Sequence, residues 1–190
     1  MAFLTQVRAV PNLLTVMRLF ILPFLVIAIL DNNYPLAFGL FLLAGLSDML
    51  DGVMARWLQQ KTTLGLYLDP IADKLLLSTL FMVLTHQGLI PRYVTVLVFS
   101  RDLGILLIST LLFATGTLRD FRPSLLGKLN TLTQIVGVVS VMLERLWPVP
   151  WLSAASRGLL QMIAVLAPVS AAQYAWIVFR RINTQTPTAV

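Results

Sequence analysis

The sequence predicts an all-α integral membrane protein, a bundle of six transmembrane helices with a short N-terminal interfacial helix. Of its 190 residues, 58% are hydrophobic and 12% are charged, with a mean hydropathy of +0.86. A soluble domain is about half apolar and about a quarter charged. The apolar runs of this chain are near the ~20 residues that a helix needs to cross a bilayer. Helices are predicted because lipid offers no partner to unpaired backbone groups.

Polar or proline-containing breaks divide the chain into its predicted elements. Residues 1–11 are predicted as the interfacial helix and residues 182–190 as a flexible tail, within one membrane domain over residues 1–190. The breaks include the polar turn 31–33, a short polar loop at 59–63 and the prolines at 148 and 150. The six predicted spans are residues 13–30, 35–56, 64–84, 91–114, 129–146 and 152–179.

The basic residues indicate the orientation of these spans. The net charge is +6, but the positive side chains stand singly at segment ends, which favours contact with anionic lipid headgroups over nucleic acid. Three of them fall at the ends opposite the N-terminus, namely Arg92, Arg145 and Arg157. Nine fall at the same side as the N-terminus: Arg8, Arg18, Arg56, Lys61, Arg119, Arg122, Lys128, Arg180 and Arg181. This asymmetry predicts that both termini face the cytoplasm.

Two other features limit the possible interpretations of the chain. The chain contains no cysteine, which excludes disulfides and thiolate metal sites. The first apolar run is longer than that of a cleaved signal peptide and further spans follow it, so the N-terminus is predicted to remain on the protein.

Four aspartates lie in the second and third predicted spans, where a carboxylate costs roughly 2.5–3.5 kcal/mol near the bilayer centre. Asp48 and Asp51 are three residues apart on one helix, and Asp69 and Asp73 are four apart on the next, so each pair shares a helix face. Two facing antiparallel helices would bring the four carboxylates into one pocket. Carboxylate oxygens suit Mg²⁺ or Mn²⁺, and a pair of such ions can clamp the oxygens of a phosphoryl displacement.

Small residues and one arginine accompany these aspartates. Gly52, Ala55 and Gly65 allow either close helix packing or the approach of a ligand to the backbone. Arg56 is either a phosphate-binding residue or an interfacial positive charge. The four aspartates alone are also compatible with an ion or proton path in a transporter. The inverted repeats and broken helices typical of transporters are not evident in the sequence.

The pattern D-x2-D-G-x2-A-R-x8-G-x3-D-x3-D, residues 48–73, together with PNLLTVMR at residues 11–18, resembles the CDP-alcohol phosphotransferase family. The resemblance implies a six-helix enzyme with a two-metal site open to the cytoplasm, in which Asp73 is also the general base. The implied metal ligands are Asp48, Asp51, Asp69 and Asp73. The implied CDP-binding residues are Asp51, Gly52, Ala55, Arg56 and Gly65, and Asn12 and Thr15 are added as candidates.

The family resemblance also implies a reaction. The donor would be CDP-diacylglycerol, CMP would leave, and the enzyme would be a homodimer in a membrane, for which a bacterial inner membrane is expected. Asn12, Thr15 and Arg18 either cap the first helix or contact the donor diphosphate.

The acceptor alcohol is predicted from the fourth and fifth spans. Arg101 and Lys128 are candidate ligands of an acceptor phosphate, although Arg101-Asp102 is equally compatible with a structural ion pair to a neighbouring helix and Lys128 with a headgroup contact. AGLSDMLDG at 44–52, LIP at 89–91 and SRD at 100–102 resemble cardiolipin synthases of the mitochondrial type. That resemblance favours phosphatidylglycerol as acceptor, with glycerol 3-phosphate as the alternative, as in phosphatidylglycerophosphate synthases.

Overall fold

The computed structural model describes the backbone over residues 10–57, 63–114 and 125–185, and the side chains over residues 16–50, 72–108, 110 and 125–180. Within those ranges the chain is helical apart from short turns and contains no strand, which confirms the all-α prediction. The helices are α1 Val10–Leu30, α2 Tyr34–Trp57, α3 Thr63–His86, α4 Arg92–Ala114, α5 Leu125–Leu146 and α6 Pro150–Gln185.

The helix bounds differ from the predicted ones at a few ends. Val10 and Pro11, assigned to the interfacial segment, already belong to α1, and a proline near a helix start costs no backbone hydrogen bond. The rest of that segment, residues 1–9, lies outside the described residues. α5 begins four residues earlier than predicted, at Leu125. α6 continues to Gln185 because neither proline nor glycine interrupts residues 169–185, and residues 186–190 lie outside the described part.

Two helical stretches among the described residues are long and apolar enough to cross a membrane, Leu125–Leu146 and Pro150–Arg180. Val16–Leu30 and Tyr34–Leu50 are apolar but shorter. Six spans therefore remain a prediction. Each helix nonetheless exposes large apolar side chains, a surface suited to lipid contact. Examples are Phe20, Met49, Leu75, Val96, Leu132 and Trp151.

The chain groups into two compact units. The first consists of Met1–Leu89 with Met142–Pro148, and the second of Ile90–Val141 with Val149–Val190. In the first unit, α1 packs against both α2 and α3. In the second unit, α4 packs against α6.

The turns of the first unit follow from residues that tolerate a positive φ. Asn32 has φ 58°, and the next amide, that of Asn33, donates to the carbonyl of Ala28 at 2.8 Å. This is a Schellman ending of α1, in which asparagine replaces the usual glycine. A second ending of the same kind closes α3 at Gly88, which has φ 73°. The side chain of Asn33 then caps α2 by accepting from the Leu36 amide at 3.3 Å.

The side chain of Gln87 connects the two turns by hydrogen bonds. Gln87 Nε2 donates to the carbonyl oxygens of Ile29 at 2.8 Å and Leu30 at 3.0 Å, so it satisfies the last carbonyls of α1. The ends of α1 and α3 and the start of α2 therefore meet at one end of the unit. The opposite end contains the first part of α1, the last part of α2 and the first part of α3. Between the two ends lies an apolar core in which these side chains are fully buried: Leu25, Ile29, Ala37, Ala44, Leu80 and Leu84.

In the second unit, α5 and α6 approach closely at Gly137. A Cβ atom added to Gly137 would lie 2.7 Å from Cδ1 of Ile163, a side chain that is itself fully buried. A larger residue at this position would have to displace the end of the Ile163 side chain.

We expect Gly137→Ala to lower the thermal unfolding midpoint, because overpacking costs about 1–3 kcal/mol and outweighs the ~1 kcal/mol gained in helix propensity. Ile163→Val removes the offending Cδ1 atom. In that background Gly137→Ala should no longer destabilise. Midpoints of the four proteins in one detergent test this, with Gly104→Ala as a control because nothing lies within 4 Å of an added Cβ there. An equal effect of Gly137→Ala in both backgrounds would contradict the contact.

Candidate active site

The polar centre of the first unit is Arg18, on α1. Its Nη2 atom lies 2.7 Å from Oδ1 of Asp48 on α2. Its Nη1 atom is paired with Oδ1 of Asp73 on α3. A single guanidinium group therefore joins carboxylates from two other helices, in the half of the unit opposite the Gln87 turn.

The three side chains differ sharply in exposure. Arg18 is 1% exposed, whereas the side chains of Asp48 and Asp73 are 50% and 48% exposed. The guanidinium thus lies below a surface that the two carboxylates form. Each aspartate uses Oδ1 toward Arg18, and each carboxylate is about half exposed.

The remaining predicted residues of this site lie on helical backbone, but their side chains are outside the described part of the chain. Asp51 is one turn beyond Asp48 in α2, and Asp69 is one turn before Asp73 in α3. The helices that the spacing argument required are therefore present. The other predicted positions in this category are Gly52, Ala55 and Arg56 on α2, Gly65 on α3, and Asn12 and Thr15 on α1.

The chemistry of the described carboxylates fits a divalent cation. Asp48 and Asp73 come from different helices and converge on one positively charged group. Oxygen donors of this kind suit Mg²⁺ and Mn²⁺. Among the side chains that the structure describes, no group of three potential metal ligands occurs. Asp51 and Asp69 would be needed to complete a set of four.

Arg18 is the site residue that sequence reasoning undervalued. The sequence left it as either a helix cap or a diphosphate contact, and its role as the partner of two predicted metal ligands was not foreseen. A signal was available, because an arginine within an apolar helix is costly without an acidic partner, and acidic residues were concentrated in the next two helices.

The two predicted acceptor-binding residues belong to the second unit. Arg101 is buried, its Nη1 atom lies 2.6 Å from Oδ1 of Asp102, and its Nε atom donates to Ser170 Oγ on α6 at 3.1 Å. Ser170 in turn donates to the carbonyl of Ala167 at 2.9 Å. Arg101 is thus held in a buried ion pair with its own neighbour on α4, whereas the structural alternative from the sequence was an ion pair to a neighbouring helix. Lys128 is exposed on the first turn of α5.

Known proteins resemble this chain over most of its length. The cardiolipin synthase (CMP-forming) of Rattus norvegicus is 37% identical over 149 residues, covering 69% of this chain and 49% of that protein. The CDP-diacylglycerol–glycerol-3-phosphate 3-phosphatidyltransferases of Bacillus subtilis and Aquifex aeolicus are 31% and 34% identical. Those two matches cover 72% and 87% of this chain and 77% and 93% of the relatives.

The extent of these matches differs between the relatives. The chain spans about half the length of the rat, human and Drosophila melanogaster relatives it matches. Residues 8–176 match the CDP-alcohol phosphatidyltransferase family. That range contains the complete aspartate pattern, Arg18 and both predicted acceptor-binding residues. The chain therefore belongs to the CDP-alcohol phosphatidyltransferase family.

Proposed function

We propose that this chain transfers the phosphatidyl group of CDP-diacylglycerol to an acceptor hydroxyl, with release of CMP, and that its acceptor is phosphatidylglycerol. The observation that carries the proposal is the convergence of Asp48 and Asp73 on Arg18, within a motif whose positions all match the family pattern. The family is membrane-bound and generally depends on divalent metals. The site is proposed to open to the cytoplasm from a bacterial inner membrane, in a homodimer.

The proposed division of labour follows from the positions of the residues. Asp48, Asp51, Asp69 and Asp73 would hold two Mg²⁺ or Mn²⁺ ions. Bound ions would neutralise the diphosphate charge and stabilise the entering and leaving oxygens. Asp51 is proposed to bind CDP as well, together with residues that flank the aspartates on the same helices, Gly52, Ala55, Arg56 and Gly65. Asn12 and Thr15 on α1 complete the proposed CDP-binding residues.

The proposed transfer is a single displacement at phosphorus. The acceptor oxygen bonds to the phosphorus attached to diacylglycerol, the bond from that phosphorus to the bridging oxygen breaks, and CMP leaves with that oxygen. A carboxylate oxygen of Asp73 takes the hydroxyl proton. Arg18 is proposed as a positioning residue that keeps Asp48 and Asp73 at a fixed separation, since both bind the same planar group.

Glycerol 3-phosphate is the second candidate acceptor, because the Bacillus subtilis and Aquifex aeolicus relatives are named for it. The rat and human relatives are named cardiolipin synthases. Arg101 and Lys128 are proposed to serve the acceptor phosphate in either case. Arg101 is already engaged by Asp102 and Ser170, so its contribution would be a pre-oriented charge.

We expect the purified chain, given CDP-diacylglycerol, phosphatidylglycerol and Mg²⁺ or Mn²⁺, to release CMP, and Asp73→Asn to lower the rate by at least about 10²–10⁴-fold through loss of the base. Asp73→Asn should still fold, because Arg18 keeps Asp48 as a partner. Asp31→Asn is a matched control, since Asp31 is exposed at the far turn of the same unit. Cation uptake into vesicles without any CMP release would instead support a transporter, and full activity of Asp73→Asn would remove its assignment.

Arg18 gives a separate stability prediction. The double variant Asp48→Asn/Asp73→Asn should be destabilised by about 3–5 kcal/mol, because it removes both of the carboxylates that the structure describes beside a buried charge. Adding Arg18→Met should recover much of that loss while leaving the enzyme inactive, since an apolar side chain of similar length needs no counter-charge. Thermal midpoints of the wild type, both single variants, the double and the triple variant test this. A triple variant no more stable than the double would contradict the role of the buried charge.

For the acceptor, we expect phosphatidylglycerol to yield cardiolipin faster than glycerol 3-phosphate yields phosphatidylglycerol phosphate. Both acceptors are compared in one mixed-micelle assay with radiolabelled CDP-diacylglycerol and separation of the lipid products. Arg101→Met and Lys128→Met should raise the KM for the preferred acceptor without changing that for CDP-diacylglycerol. A clear preference for glycerol 3-phosphate would replace the acceptor and keep the reaction class.

A further inference from the structure

Two buried carboxamides on α5 have no internal explanation. Asn130 and Gln134 are both 0% exposed, and none of their four side-chain amide atoms has a hydrogen-bond partner in the part of the chain that the structure describes. They lie one turn apart and so share a face of the helix. Native proteins pair nearly all buried polar groups, so two adjacent exceptions call for a ligand.

Other polar residues of the same helix are satisfied within it. Thr133 Oγ1 donates to the carbonyl of Leu129 at 2.8 Å, and Ser140 Oγ donates to that of Gly137 at 2.9 Å. Asn130 and Gln134 do not use this arrangement. Thr133 and Ser140 are buried as well, so it is the lack of a hydrogen-bond partner that distinguishes the two amides from the other buried polar residues described on α5.

The packing of the second unit places the amides beside its other buried polar groups. The link 147–149 is too short for α5 and α6 to run in the same direction, and Gly137 meets Ile163. Asn130 lies seven residues before Gly137, and Ser170 lies seven residues after Ile163. Asn130 is therefore at the level of Ser170, which accepts a hydrogen bond from Arg101 of α4.

The chemistry of these side chains selects a class of ligand. A carboxamide is neutral and both donates and accepts hydrogen bonds, so two of them one turn apart suit vicinal hydroxyl groups better than a charged group. The neighbouring cations are Arg101 at the same level and the exposed Lys128 two residues away. A ligand with a phosphate next to a polyol would therefore meet cations suited to its phosphate and carboxamides suited to its hydroxyl groups.

We propose that Asn130 and Gln134 bind the glycerol hydroxyls of the acceptor alcohol and determine its specificity. This inference rests on the proposed function, in which the acceptor is the substrate that carries free hydroxyls. Both candidate acceptors contain a glycerol unit next to a phosphate. The amide pair therefore recognises the glycerol group of the acceptor. This holds for either of the two candidate acceptors, because both contain that group.

Asn130→Leu and Gln134→Met test the proposal in the full-length chain in mixed micelles. Each should raise the KM for the acceptor about five- to tenfold, as expected for the loss of a neutral hydrogen bond, and leave the KM for CDP-diacylglycerol unchanged. The thermal midpoint should stay the same or rise, because no internal hydrogen bond is lost. Thr133→Val is the matched control, since its hydroxyl is satisfied by its own helix, and it should leave both KM values unchanged.

A second measurement does not depend on how much of a variant is folded. Phosphatidyl transfer to the glycerol-containing acceptor and to 1-propanol, which has one hydroxyl, is measured in the same preparation. The ratio of the two rates should fall in both amide variants and stay constant in Thr133→Val. An unchanged ratio and an unchanged acceptor KM, with a lowered midpoint, would assign the amides a structural role and overturn the inference. Absence of CMP release by the unmodified chain would overturn the proposed function together with it.

Discussion

The first unit depends on one constraint, which is that the guanidinium of Arg18 is buried among apolar helices and must have acidic partners. Asp48 and Asp73 supply them from α2 and α3. Because a buried charge without a partner costs several kcal/mol, the two helices can dock on α1 only where both carboxylates reach it. The ion pairs that hold the unit together thus also fix the spacing of the two carboxylates on its surface.

This arrangement explains how a cluster of charged side chains can exist in so apolar a protein. The buried arginine is paired with both carboxylates, which are themselves about half exposed. The apolar side chains are divided between a core around Leu25 and Leu80 and an exposed outer surface. The ion-paired side chains of Arg18, Asp48 and Asp73 lie in the half of the unit opposite the Gln87 turn.

Much of this fold was predictable, because apolar length and polar breaks are local properties of a sequence. The all-helical architecture and the helices carrying the aspartates were predicted to within a few residues. The partners of Arg18 and of Arg101 were harder to predict. Arg18 pairs with residues 30 and 55 positions away, and Arg101 pairs with its own neighbour and with Ser170, so the choice among acidic candidates depends on packing. Asn130 and Gln134 lie within the fifth predicted span, where polar side chains face the bundle interior, but which groups they meet there depends on packing.

The hydrogen bonds from Gln87 to Ile29 and Leu30 hold the ends of α1 and α3 at one level, which defines a plane from which positions along the helix axes can be measured. Measured from that plane, Arg18, Asp48 and Asp73 lie about 15–21 Å along their helices, at 1.5 Å per residue. Deleting one residue between the Gln87 turn and Arg18, Asp48 or Asp73 would rotate that charged side chain by about 100° around its helix axis. The rotation would move it away from its partners. The intervening segments of α1, α2 and α3 are therefore free to vary in the identity of their lipid-facing residues but not in their number.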